Sequence, residues 1–361
     1  MANVMEQQIL ETLKSVQDPD LHRDIVSLGF IKDLKINGDA VSFLLELTTP
    51  ACPVKDIMKA ECEKKILALP GIKKVDIELS ARVRATVNTT IDGLKNIKHI
   101  VAVASGKGGV GKSTVACNLA LAIRASGATV GLMDADIYGP SQPMMLGIKE
   151  RPVVVENKVM PILSHGMKVI SMGLLTGEDT PVIWRGPMVS GIIQQFLGQV
   201  EWGELDYLVI DLPPGTGDAQ LTLTQQAPLS GAVIVTTPQD VALLDARKGL
   251  KMFQQVNVPV LGVVENMSYF ICDGCNKKHY IFKEGGGQKI AQELDVPLLG
   301  EIPLDPRVAV GGDSGEPIVE ACPDSPVAGA YRELAGKVAA QLSIISSQKA
   351  TQLPSFKMEW K

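Results

Sequence analysis

One glycine-rich loop constrains this chain more than any other feature. Gly106-Lys107-Gly108-Gly109-Val110-Gly111-Lys112-Ser113 follows the short apolar run Ile100-Val101-Ala102-Val103-Ala104 and precedes a run from Thr114 to Ile123 that reads as a helix. Strand, glycine-rich loop and helix in succession is the context in which such a motif holds phosphate. Successive backbone N–H groups point into the loop, and the helix N-terminus adds its positive dipole end, so the segment traps anions. In a P-loop, Lys112 supplies a mobile positive charge for the β- and γ-phosphates and the Ser113 hydroxyl is a Mg²⁺ ligand. The stretch from Gly106 to Thr114 is therefore the candidate nucleotide-binding segment.

A rival motif lies in the same letters, because Gly106, Gly108 and Gly111 also satisfy G-x-G-x-x-G. Asp134 or Asp136 follows at about the distance of a ribose-binding carboxylate in a dinucleotide fold. Two features favour the P-loop. The dinucleotide fingerprint has no use for Lys112-Ser113, and a Mg²⁺ site needs a distant acid at the end of a buried strand. Leu208-Val209-Ile210-Asp211 provides that acid.

A chain of 361 residues has room for two domains, or for one large domain with an appendage. Hydrophobic residues make up 45%, enough for a real core, while aromatics are only 4%. Aliphatic residues and 34 glycines dominate, as a buried parallel sheet with tight turns requires. The balance of 35 basic against 40 acidic residues argues against a dedicated nucleic-acid binder. No apolar run reaches the roughly 18 residues of a transmembrane helix. Met1 to Gln8 also lack the basic region and apolar stretch of a signal peptide. The expectation is a soluble, cytoplasmic protein with no nucleic-acid or membrane partner. Its six cysteines are then reduced, and close pairs read as metal or redox sites rather than disulfides.

Residues 1–80 have the pattern of a separate small α+β domain. Helical spacing from Met5 to Val16 stops at Asp18-Pro19-Asp20, and two partly alternating runs flank the turn Asn37-Gly38-Asp39 as a hairpin. A helix from Val54 to Leu69 and a third strand at Val75 to Leu79 follow. Residues 81–98 read as a linker. From 99 to 345, strands and helices alternate as in a doubly wound, mostly parallel α/β sheet. Strands are expected at 99–104, 129–134, 168–171, 206–211, 231–237, 259–265 and 297–302. Helices are expected near 112–126, 187–199, 218–227, 239–256, 286–295 and 325–343. The remaining 346–361 read as a tail.

Further chemistry gathers at the expected strand ends. Asp134-Ala135-Asp136 closes the second strand of the large domain, where both carboxylates can face the phosphates, and Asp136 is the better candidate to orient an attacking water. Asp211 opens Asp211-Leu212-Pro213-Pro214-Gly215-Thr216-Gly217-Asp218, a loop able to sense a γ-phosphate by moving. Cys272-Asp273-Gly274-Cys275 sits in a polar insertion after the strand at 259–265. Two thiolates three positions apart converge on one metal ion but cannot complete a four-ligand site. Either His279 and another group join, or two chains each give a pair. Cys52 precedes Pro53, which suits the first turn of a helix and puts the thiol near the helix N-cap. There the dipole lowers its pKa, so a reactive or metal-transferring thiol and a buried packing cysteine are both open. Cys62 and Cys117 fall inside helices and read as packing residues. Asn266, at a strand end, has an amide able to pair with an adenine edge.

Taken together, these residues resemble a known family. The loop with Lys107 near its start is similar to the deviant P-loop of the SIMIBI ATPases, which include the nitrogenase iron protein and the septum-site and partition ATPases. Asp211 to Asp218, Asn266-Met267-Ser268 and Cys272-x-x-Cys275 narrow the resemblance to the Mrp-type iron–sulfur cluster carriers. The first 80 residues resemble the small cluster-assembly domain often fused to bacterial members, with Thr49-Pro50-Ala51-Cys52-Pro53 as its signature. The resemblance implies that Lys107 reaches the partner's phosphates across a homodimer and that Asp136 and Asp211 take the water-orienting and Mg²⁺ roles. It also implies that Asn266 contacts adenine. Cys272 and Cys275 of two subunits would together hold a labile [4Fe-4S] cluster. The implied activity is an ATP-dependent transfer of that cluster, received from scaffold proteins, to apo iron–sulfur proteins, with slow hydrolysis. A zinc or other metal chaperone using the same thiolates is the alternative. A positioning ATPase on membrane or DNA is disfavoured, because Gln348 to Lys361 contains Pro354 and no sustained helical face.

Overall fold

Strand-forming runs that are apolar at every position, not at alternate ones, need cover on both faces. Residues 100–104, within Ile97–Ser105 (β4 below), are such a run, and the strand lies near the middle of an eight-stranded sheet. The structure, a computed structural model, describes residues 2–87, 89–137, 139–176 and 186–352. Two compact units emerge: residues up to Arg84 with the end of the last helix from Ala339 onward, and Ala85–Val338.

In the smaller unit, α1 (Ala2–Leu13) and α2 (Lys55–Leu67) accompany a sheet of β1 (Ile31–Asn37), β2 (Ala40–Leu47) and β3 (Lys74–Ala81). β1 and β2 form an antiparallel hairpin, and α2 is the crossover that brings β3 parallel to β2. Strict alternation in β2 sends Val41, Phe43, Leu45 and Leu47 into a core with Ile9, Leu13, Phe30, Met58 and Ile66.

The larger unit contains β4 (Ile97–Ser105), α3 (Lys112–Ala125), β5 (Val130–Asp134), β6 (Ile162–Ser164), β7 (Met167–Ser171), α4 (Gly186–Gln199) and β8 (Leu205–Asp211). It continues with α5 (Asp218–Gln226), β9 (Gly231–Thr236), α6 (Asp240–Gln255), β10 (Val260–Glu265), α7 (Gly286–Glu293), β11 (Leu298–Glu301), α8 (Pro306–Ser314) and the part of α9 (Pro326–Gln352) that ends at Val338. The strand order is β6-β7-β5-β8-β4-β9-β10-β11, and every neighbouring pair is parallel except β6 with β7. Along β4, Ile100, Ala102 and Ala104 join a core with α4, α5 and α6, while α3 packs on β4, β5 and β8. The doubly wound α/β class expected from the sequence is the class observed.

Three features depart from the pattern-based expectation. The edge strand β6 and the hairpin Val153–Val155 with Lys158–Met160 are too short for periodicity to reveal them. Helix α8 is announced by Asp305-Pro306, an N-cap followed by proline in the first turn, and Asp305 accepts a hydrogen bond from the Arg307 amide. Helix α9 runs to Gln352, past residue 343, into the stretch expected as a tail. Ser346 to Gln352 contains no breaker, and a nucleated helix propagates through polar residues at little cost. Residues 353–361, with Pro354, lie outside the described residues.

At Cys52 the helix start differs from the expected one. Helix α2 starts at Lys55 with Val54 in the cap position, so Cys52 stands outside its first turn. The thiol is buried, and desolvation pushes it up to about 11 against the weaker opposing pull of a backbone hydrogen bond from Val54 and the charge of Lys55. Burial therefore governs this thiol. A thiol titrating near 11 is about one part in a thousand thiolate at pH 8. In the reduced native protein at that pH, iodoacetamide should label Cys52 at least about tenfold more slowly than Cys272 or Cys275, as read by peptide mass spectrometry. Labelling of Cys52 at their rate would contradict this assignment.

Candidate functional site

The P-loop takes its shape from two close approaches. Gly111 caps α3 with φ +81°, and a β-carbon there would stand 2.2 Å from Asn266 Nδ2. A β-carbon on Gly106 would stand 2.1 Å from the carbonyl carbon of Asp245 in α6. Only glycine fits either place. Between them the chain borders an open cavity of about 360 Å³, lined by Lys107, Gly108, Gly109, Gly111, Lys112, Ser113 and Thr114. Val110 turns inward and is buried. The far wall comes from Asp136, Ser141, Met144, Pro214 and α8, none of which adjoins the loop in sequence.

The sheet order brings the acidic residues to this cavity. β8 lies between β4 and β5, so Asp211 sits in register with Val103 on one side and Asp134 on the other. Lys112 is 5% exposed, and its ammonium donates to Asp211 Oδ1, lies 3.2 Å from Ser113 Oγ and stands 3.9 Å from Asp136 Oδ2. Gln142 Nε2 closes the group by donating to Asp211 Oδ2 at 2.9 Å and to the Ser113 carbonyl at 3.0 Å. Sequence reasoning does not single out Gln142; the only signal is a polar residue just before Pro143 in an otherwise apolar helical turn.

The two aspartates of Asp134-Ala135-Asp136 separate in role. Asp134 is fully buried and accepts from Ser171 Oγ and from the backbone N–H groups of Asp136 and Gln142. Burial, with repulsion from Asp211, pushes its carboxyl up to about 7 despite those hydrogen bonds. It organises the turn. Asp136 reaches the cavity, where the Gly139 N–H holds its Oδ1 at 3.2 Å.

The donor set suits a Mg²⁺–nucleotide. Ser113 and Asp211 offer hard oxygens, the ligands Mg²⁺ prefers. Ser141 Oγ at the cavity and Gln142 Oε1 beside it are buried without a hydrogen-bond partner, so the pocket retains unspent polar capacity. Backbone of the 211–218 loop is tied to the P-loop strand, with Leu212 N–H on the Val103 carbonyl and Gly215 N–H on that of Ser105. Asn266 does not line this cavity. It lies behind the loop, and its Nδ2 donates to the Val110 carbonyl at 2.9 Å.

Past Asn266 the chain enters a small hairpin in which Phe270–Ile271 pairs antiparallel with Lys278–His279. Its tip carries Cys272 and Cys275. The turn is closed by Cys272 N–H on the Lys277 carbonyl and Asn276 N–H on the Cys272 carbonyl, with Asn276 at φ +56°. Backbone N–H groups of Gly274 and Cys275, with the Cys275 side chain, hold the Cys272 thiol below its ordinary range. Tyr269 and Tyr280 meet edge to face at 6.3 Å across the base. The two Sγ atoms and a ring nitrogen of His279 all lie within 4.8 Å of one another. Cys62 and Cys117 are fully buried, and burial raises both thiols. They pack.

A model of the NUBPL iron-transfer P-loop NTPase family matches residues 96–339, and one described as iron-sulfur cluster assembly protein matches residues 6–79. The iron-sulfur cluster carrier protein of Synechocystis is 52% identical over 343 residues, spanning 93% of this chain and 97% of its own. Among solved structures, a nucleotide-binding protein of Archaeoglobus fulgidus, in complex with ADP and with cobalt found by PIXE, is 42% identical. It superposes with a TM-score of 0.58 over 65% of this chain and 92% of its own. The cell division ATPase MinD of Pyrococcus furiosus, 24% identical with a TM-score of 0.51 over 66% of this chain and 98% of its own, shares the fold. On its glycine loop, its sheet and its near full-length match, this chain belongs to the NUBPL iron-transfer P-loop NTPase family.

Proposed function

We propose that the chain is a Mg·ATP-dependent iron–sulfur cluster carrier. Two copies hold one labile [4Fe-4S] cluster between them and pass it to apo iron–sulfur proteins in the cytoplasm. The observation that carries this reading is one continuous connection. Asn266 braces the P-loop carbonyl of Val110, and six residues later the same strand exit becomes the hairpin bearing Cys272 and Cys275. One side-chain hydrogen bond and a few residues of backbone thus join the nucleotide loop to the cargo thiols.

Ligand arithmetic favours a homodimer. Each chain offers one convergent cysteine pair, and a cubane cluster held by protein needs four thiolates. Lys107 lines the cavity, and in the proposed dimer it extends toward the facing copy. Ser113 and Asp211 would hold Mg²⁺, which would supply charge neutralisation at the phosphates. Lys112, released from Asp211, would follow the β- and γ-phosphates, and Asp136 would orient the attacking water. Hydrolysis is slow and serves to reshape the dimer. Among the described residues, no helix is long and apolar enough to cross a membrane.

Asp136→Asn should leave nucleotide binding within about threefold and slow phosphate release by about a hundredfold, the lower range for losing a positioned base. Fluorescent-nucleotide titration and a phosphate assay measure both; an unchanged hydrolysis rate would remove Asp136 from the reaction. Anaerobic reconstitution with iron and sulfide should give one cluster per two chains, and Cys272→Ala should abolish its visible absorption. A full band in that variant overturns bridging ligation. Linkage requires that ATP alter cluster affinity and that cluster alter ATP affinity by the same factor. In Asn266→Ala that mutual factor should fall toward one while each ligand still binds alone.

A further inference from the structure

A cluster shared by two chains uses four thiolates and leaves His279 without a part. We propose that Cys272, Cys275 and His279 of a single chain form a mononuclear site for a borderline divalent cation, Fe²⁺ or Zn²⁺, with the fourth position open. The site is mutually exclusive with the shared cluster, because both use the same thiolates. This deepens the carrier reading and rests on it only for the cluster arm of the test below.

The geometry is that of a metal knuckle formed in advance. A hairpin two residues long on each side is marginal by itself. This one is held at its base by the Tyr269–Tyr280 contact, by the Lys278 ammonium 4.1 Å above the Tyr269 ring, and by the Leu304 N–H on the Tyr269 carbonyl at 2.7 Å. Pairing of His279 with Phe270 sets the imidazole on the returning strand, two positions beyond the residue facing Cys272.

Distances and donor type then select the ion. Tetrahedral coordination with bonds of about 2.0–2.3 Å places ligand atoms roughly 3.3–3.8 Å apart. The three donors lie within 4.8 Å, so side-chain rotation of about an ångström closes the set. Two soft thiolates and an imidazole exclude Mg²⁺ and Ca²⁺ and suit Zn²⁺, Fe²⁺ and Co²⁺. Two thiolates balance the dication, and binding releases their protons. All three residues are accessible, with Cys275 and His279 exposed, so the open position faces solvent.

The test uses the reduced full-length protein under anaerobic conditions, with excess Mg²⁺ and no nucleotide, titrated with Co²⁺. The d–d absorption of tetrahedral thiolate cobalt reports the ligands, and light scattering reports the mass. Expected are one Co²⁺ per chain on a monomer and a loss of affinity of at least about tenfold in His279→Ala, since even outer partners of metal ligands are worth about 10- to 100-fold. His279→Cys should restore affinity with stronger sulfur-to-cobalt absorption. Unchanged cobalt affinity and spectrum in His279→Ala, or saturation at one ion per two chains in a dimer, would overturn the proposal. Reconstitution of His279→Ala with iron and sulfide should still give the full cluster. Cobalt binding as expected with no cluster in the native chain would strike the carrier reading alone.

Discussion

The nucleotide site depends on one buried ammonium. Lys112 sits at the start of α3 with Asp211 in direct contact and Asp136 just beyond, all nearly or fully shielded from water. Removing one partner from such a pair typically costs about 3–5 kcal/mol, because the other charge stays buried and uncompensated. One cation among Asp134, Asp136 and Asp211 still leaves an excess of negative charge. The protein lowers that excess by raising the Asp134 carboxyl toward neutrality, through burial and repulsion from Asp211. What remains is a buried ammonium held among carboxylates at the edge of the cavity.

Sheet order makes that arrangement possible. Placing β8 between β4 and β5 sets Asp211 beside Asp134 in register and opens the crevice where the order reverses. The 211–218 loop bonds back to the carbonyls of Val103 and Ser105, which ties it to the strand that feeds the P-loop. On the other side of β4, the exit of β10 carries Asn266 to the back of the P-loop and then the cysteine hairpin. Anion loop and thiol pair are therefore separated by a few residues of hydrogen-bonded backbone, a short path for coupling.

Much of this was legible before any coordinates. The P-loop announces itself because its glycines, lysine and serine each do something a backbone cannot do otherwise, and the long buried strands announce themselves by unbroken apolar runs. Short elements escaped: β6 has three residues, too few to show a period. Gln142 escaped because nothing local distinguishes a glutamine that will be fully buried against Asp211 from one in solvent. The local pattern around Pro53 reports a helix start and leaves Cys52 open between a reactive and a packing thiol, whereas its pKa is governed by burial. Asn266 occupies the strand end the sequence assigned, but its amide is committed to the Val110 carbonyl behind the cavity.

Sequence by itself determined the α/β class and the phosphate loop and put forward Cys272 and Cys275 as candidate thiolates, since each follows from neighbours along the chain. Tertiary structure alone decided which of Asp134 and Asp136 faces the cavity, which strand lies beside β4, and that His279 stands within reach of both sulfurs. The physical reason is range. Propensity, capping and periodicity act over a few residues, while burial and Coulomb interactions depend on which distant segments the sheet order brings together.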